Sequence, residues 1–229
     1  MRRLTVLLLL TLLLVAALAH WRGIWAVAPQ WNPWAPLDVR LPPNLLTGFK
    51  LMRLGRDPAL CTQALATSSL RYTPLPDSAP TARCPLRNSL RLQSADLAFS
   101  SSFIASCPLA VAFALFEQHE LQPAAQAAFG QPVRQLEHFG SFACRAIAGS
   151  ARTSQHASAN ALDIAGFRLA DGQRITLARD WQGDERAARF LRQVHAGACR
   201  SFNITLGPAY NAAHRDHLHV DMGGWRLCH

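Results

Sequence analysis

One histidine and one aspartate stand seven positions apart in "SQHASANALD", as His156 and Asp163. A dense knot of ionisable residues follows in "HRDHLHVD", residues 214–221. Imidazole nitrogens and carboxylate oxygens are zinc donors. Two imidazoles and one carboxylate, with the fourth position left to water, make the ligand set of a catalytic zinc. Strand alternation predicts how this chain would display them. If "ALDIA" is extended, Asp163 shares a face with Ala161 and Ala165 while Leu162 and Ile164 face a core. The small neighbours leave room around the carboxylate, and His156 in the preceding loop can return to the same side. The same rule puts His217, His219 and Asp221 on one face and Leu218 and Val220 behind it. A His-x-His pair alone is a common surface feature, and Asp163 alone is a carboxylate that a turn can satisfy. Two strands that each offer donors in front of aliphatic residues point instead to one metal centre.

Other chemistries find less support. His119-Glu120 in "HELQP" gives half of a helical zinc motif, without the second histidine and with Pro123 close behind. No G-x-S-x-G elbow occurs, which removes the usual serine hydrolase. The six cysteines, Cys61, Cys84, Cys107, Cys144, Cys199 and Cys228, are an even set without a C-x-x-C pair. They read as three disulfides rather than as a nucleophile or a cysteine zinc site. Fifteen pairings are open; order along the chain favours Cys61–Cys84, Cys107–Cys144 and Cys199–Cys228. The formal charge of +9 favours anionic polymers or headgroups, but the arginines are scattered and no nucleic-acid partner is expected. His138, His195 and His214 read as ordinary core or surface histidines, Trp181 and Trp225 as packing residues. Asn160, Tyr210 and Asn211 flank the donors and could orient them.

The elements that must position these groups are legible in outline. "MRRLTVLLLLTLLLVAALAH" opens with Arg2 and Arg3, continues as an apolar run and offers Ala17-Leu18-Ala19 for cleavage. Residues 1–19 therefore read as an export signal, or as an uncleaved inner-membrane anchor ending no later than residue 28. Trp21, Trp25, Trp31 and Trp34 just beyond would suit the headgroup layer. Either way the remainder is periplasmic or secreted. Residues 20–48, rich in Pro and Trp, read as an extended linker, and 49–229 as the domain. A short helix and a proline-broken loop are expected after Cys61. A buried helix should start at Pro108 and stop at Pro123, with two short strands around Gly140-Ser141. "ALDIAGFRL" and "RITL" form a hairpin around Asp171-Gly172. An amphipathic helix follows, with Ala187, Phe190, Leu191, Val194 and Ala198 on one face and Asp184 and Glu185 at its start. "FNITLGP" and "HLHVDMG" complete the strands. The fold class is α+β, with a small antiparallel sheet flanked by helices and stapled by disulfides. Oligomeric state is not encoded legibly.

The run "SQHASANALD" resembles the S-x-H-x-x-G-x-A-x-D pattern of the zinc peptidases that include lysostaphin-type, D-Ala-D-Ala carboxypeptidase and hedgehog-type domains. "HLH" matches their closing H-x-H. From about Leu46 to Cys228 the chain resembles the bacterial extensin-like C-terminal domain family, through "CPLA", "FACR", "NALDIAGF", "LGPAYNAAHRDHLHVD" and the cysteine positions. The resemblance implies one Zn2+ held by His156, Asp163 and His219, with His217 as base. It places Asp216 near the position of a catalytic glutamate, and Arg145 of "FACR" as the arginine directed at the scissile carbonyl or a substrate carboxylate. Strict alternation would point Asp216 away from His217 and His219, which favours His217. The family glycine is Ala159 here, strained if that position needs a positive φ. The implied activity is hydrolysis of peptidoglycan peptides by a carboxypeptidase or cross-link endopeptidase. Its rivals are a non-catalytic, metal-stabilised cell-wall module and a metal-free disulfide scaffold.

Overall fold

A computed structural model of the chain describes residues 2–23, 26–183 and 185–229. Trp25 and Asp184, expected at the headgroup layer and at a helix start, lie outside the described residues. Helix α1 (Arg2–Trp21) exposes its leucines along its length, and among the described residues no helix is long and apolar enough to cross a membrane. The segment expected to be an extended linker is tied to the domain from Pro29 onward. Lys50 Nζ donates to the Pro29 carbonyl at 2.7 Å, Arg53 Nη1 donates to that of Pro33, and Leu37 and Val39 are buried in the core. Trp225 is largely exposed, unlike Trp181, which rests against the core.

Two short helices, α2 (Thr47–Leu54) and α3 (Pro58–Leu65), lead to strands β1 (Arg71–Pro74), β2 (Ser89–Ser94) and β3 (Ala98–Ser106). Helix α4 (Cys107–Phe116) is apolar all round and buried at nearly every position, as its composition demands. It does not stop at Pro123. A π-helical turn over Glu117–Leu121 passes the chain into α5 (Gln122–Phe129), and Pro123 occupies the first turn of that helix. The wider turn accommodates a residue that lacks an N–H and would clash with the carbonyl four places back. After α5 comes β4 (Val133–Gly140); the second strand expected beyond Ser141 does not form, because that segment turns its polar groups to the histidine cluster. The expected hairpin is present as β5 (Ala161–Leu169) and β6 (Arg174–Thr176), with Gly172 at φ +87° in its turn. Helices α6 (Leu177–Asp180) and α7 (Arg186–Ser201) follow, then β7 (Ile204–Leu206), β8 (Leu218–Asp221) and β9 (Leu227–Cys228). Phe190, Leu191, Val194 and Ala198 of α7 are buried as expected.

The fold is mixed α+β, but its sheet is larger than expected. Among the described residues nine strands form it, in the order β1-β2-β3-β4-β5-β8-β7-β9, with β6 paired to β5. Most pairs are antiparallel; β3 with β4 and β7 with β9 are parallel. The β3–β4 pair is parallel because α4 and α5 carry the chain across the sheet between them. Leu162, Ile164, Phe167, Leu218 and Val220 enter one core with Phe113, Phe116 and Phe190, leaving the opposite sheet face open for Asp163. Along β4–β5, Glu137 pairs with Gly166 and His138 with Ile164, so Ala165 is a β-bulge. Gly166 is required beside it: a Cβ there would stand 2.6 Å from the Ile175 carbonyl oxygen of β6.

Three disulfides form, and two differ from the pairing by chain order. Cys61 joins Cys107, Cys84 joins Cys144, and Cys199 joins Cys228 as expected. Spatial packing overrides sequence order: α3 lies against α4, which brings Cys61 to the first residue of α4 with Cα atoms 6.0 Å apart.

Candidate metal centre

The 3-10 turn Gln155–Ser158 delivers His156. Ser154 caps it, accepting from the His156 amide, and Ala159 ends it in the left-handed region at φ +52°, fully buried. That conformation turns the chain from the 3-10 helix into β5 within two residues. Asn160 ties the turn down: its Nδ2 donates to Gln155 Oε1 at 2.7 Å, and its Oδ1 accepts from Ser106 Oγ at 2.6 Å. Asp163 comes from β5 and His219 from β8, directly opposite each other in the antiparallel register. Alternation placed both on the open face, as the burial of Leu162, Ile164, Leu218 and Val220 shows.

The three donors meet. His219 Nδ1 lies 3.0 Å from Asp163 Oδ1, His156 Nε2 lies 3.1 Å from His219 Nδ1, and His156 Nε2 lies 3.2 Å from Asp163 Oδ1. Their outer partners decide which atoms carry protons. His156 Nδ1 is 3.1 Å from the Ser141 carbonyl oxygen, an acceptor only, so that nitrogen holds the N–H. His219 Nε2 is 3.1 Å from Asp221 Oδ2, and the same argument applies; Asp221 is itself fixed by the Gly223 amide at 2.7 Å. Both imidazoles therefore aim lone pairs inward, at each other and at a carboxylate oxygen. Three lone pairs at such distances repel unless a positive charge sits among them. A proton or a metal ion can take that part. Burial opposes a charge on His219, but its bonds to Asp163 and Asp221 win and push its pKa up to about 9. Burial likewise works to raise Asp163, yet the His156 and His219 contacts hold its carboxyl well below the usual range.

The set also fits a metal. Bonds of about 2 Å in a tetrahedral zinc site place neighbouring donors roughly 3.3 Å apart, close to the separations here. Ser141 and Asp221 supply the outer hydrogen bonds that such histidines need to fix tautomer and ring angle. Sequence reasoning placed Asp221 on the correct face but gave it no part, and nothing in the sequence marks a backbone carbonyl such as that of Ser141.

His217 stands beside the trio, with Nε2 at 3.6 Å from Asp163 Oδ1 and its ring against Phe139 and His214. Asp216 does not point away from it: Asp216 Oδ1 lies 2.9 Å from His217 Nδ1. Alternation fails there because β8 begins only at Leu218. His214, read from sequence as an ordinary histidine, joins the cluster, its Nδ1 2.7 Å from Asn211 Oδ1 and its ring near His219. Burial, then the charges of His217 and His219, bring its pKa down to about 4. Arg145 is not brought in. It lies on an exposed loop whose backbone pairs with Ser154, and its guanidinium has no partner among the described residues. His119 and Glu120 are elsewhere, bound to the Val39 carbonyl and to Arg200. A second grouping, His195 with Cys199 and Cys228, offers no thiolate because those cysteines are bonded to each other.

Residues 59–229 match the family model described as the extensin-like protein C-terminus. No curated protein and no solved structure matches the chain.

Proposed function

The chain belongs to the extensin-like C-terminus family, and from that premise we propose that it is an exported, zinc-dependent peptidase acting on the peptide part of peptidoglycan. The observation that supports this reading most is the convergence of three inward lone pairs on His156, Asp163 and His219, each histidine locked from behind. A zinc ion held there would supply Lewis-acid polarisation of an amide carbonyl and acidification of water.

The remaining roles belong to the chain itself. Asp216 keeps the His217 proton on Nδ1 and so leaves Nε2 free on the side of the cluster. From there His217 accepts a proton from the attacking water and returns it to the departing amine, a contribution of roughly 10²–10⁴-fold. Asn211 holds His214, whose low pKa makes it too weak a base to take that proton in place of His217. Arg145, one loop away, is the residue that the family resemblance assigns to the substrate's oxygen. The apolar leader and three disulfides are consistent with work outside the cytoplasm.

A closed structural ion is the rival reading, favoured by the proximity of His217 and His214 to the donors. One experiment separates the two. Purified chain with zinc is incubated with murein sacculi and the soluble products are resolved by mass. Wild type should release peptides, a chelator should stop release, and His156→Ala should release none. His217→Ala should lose cleavage yet keep its zinc. No release by wild type, or equal release by His156→Ala, ends the peptidase reading; loss of zinc from His217→Ala makes it a fourth ligand.

A further inference from the structure

The open sheet face beside the histidine cluster is hollowed into a cleft of about 510 Å3. Asp216 and Phe139, the two residues that hold the His217 ring, line it at the cluster; Ala165 lines its floor, and Arg168 and Arg174 stand further along the strands. The bulge at Ala165 is what creates this line. In a regular strand Asp163 and Arg168, five residues apart, would face opposite sides. The extra residue shifts the phase, so that Phe167 and Leu169 drop into the core while Arg168 emerges on the face of Asp163. At about 3.3 Å per residue the two side chains are roughly 15 Å apart along β5, the reach of four or five residues of extended peptide.

The far end of the cleft is positive. Glu137 is gripped by Arg174, with Nε at 2.7 Å and Nη2 at 2.6 Å. Arg168 approaches the same carboxylate only to 3.6 Å, turns its Nε to Gln135 Oε1 at 3.3 Å, and is nearly half exposed. Two guanidinium groups thus share one carboxylate, and Arg168 retains N–H groups that no hydrogen bond among the described residues uses. Bidentate capture of a carboxylate is what such a group does best.

We propose that this cleft is the groove for an extended acidic peptide, which sets a carboxylate on Arg168 and its susceptible amide at the histidine cluster. The inference rests on the hydrolytic reading above for what happens at the cluster, but the groove is testable without hydrolysis. Arg168, and not Arg145, is the arginine that shares the sheet face with Asp163.

The test is binding of a fluorescein-labelled murein stem pentapeptide to the full chain in the presence of chelator, followed by anisotropy. The same peptide with its carboxylates converted to amides is the comparison. The acidic peptide should bind more tightly than the amide, and Arg168→Gln should weaken it about tenfold, the scale of one charge-assisted hydrogen bond. That variant should leave the amide peptide unchanged. Arg226→Gln, the same charge change on a remote exposed loop, should leave both unchanged. Equal binding of the two peptides by wild type, or equal losses in both variants, overturns the groove. Adding zinc afterwards separates the two ideas. Hydrolysis without charge-dependent binding removes the groove and leaves the peptidase. Charge-dependent binding without hydrolysis keeps the groove and removes the peptidase.

Discussion

Glu117 has a carboxyl group buried within the π turn, and its Oε1 has no hydrogen-bond partner among the described residues. Burial, reinforced by the charge of Asp96, pushes its pKa up to about 7 from an ordinary 4.5. Between those values the folded chain keeps a proton that the unfolded chain has lost, so stability falls as pH rises through the interval. The whole fall is on the order of 3 kcal/mol. Urea unfolding at about pH 5 and about pH 8 should show a fall in wild type that exceeds the fall in Glu117→Gln by about this amount, since the contributions of His214 and His219 are common to both. An unchanged pH dependence in the variant would locate the effect elsewhere. At this same scale the histidine cluster was half legible. Donor types and spacing mark His156, Asp163 and the face shared by His217, His219 and Asp221, because alternation is a property of the local chain; the choice of His219 among the last three rests on the family resemblance. Ser141, His214 and the grip of Asp216 on His217 depend on how distant loops fold back, and no local pattern records that.

Between residues and the whole chain, the elements are set by a few backbone positions that break regularity. Ala159 is the sharpest of them, a buried alanine at φ +52°, a backbone region that favours glycine. Left-handed backbone costs an L-residue about 1–2 kcal/mol, of which glycine would give back a part through its freer unfolded state. Ala159→Gly should therefore raise stability by roughly 0.5–1 kcal/mol in denaturant titration without displacing His156. A destabilised variant would mean that the turn is not strained. The alternating patterns of β5 and β8 and the Asp171-Gly172 turn were readable because each strand reports its own two faces. The bulge at Ala165 was not, since it is defined by the register with β4 and by the close approach of β6 at Gly166. Pro123 misled for a related reason: a proline ends an α-helix, but a π turn just before it lets the helical path continue.

At the level of the molecule, the sheet unites the N-terminal strands with the site strands through the parallel β3–β4 pair, a long-range pairing with no sequence signature. The disulfides follow the same rule, joining neighbours in space. Their connectivity interleaves: the span from Cys61 to Cys107 overlaps that from Cys84 to Cys144. Consequently, oxidative maturation cannot proceed by each thiol seizing the next. Cys84 follows Cys61 by 23 positions, against 46 for the native partner, and the shorter loop closes more readily. Chains emerging from the N-terminus first would trap that wrong bridge and need thiolate exchange to escape it. Refolding the reduced chain with glutathione alone should accumulate the Cys61–Cys84 species in non-reducing peptide maps, while a disulfide isomerase should convert it to the native form. A native map at the same rate in both would show that folding precedes oxidation.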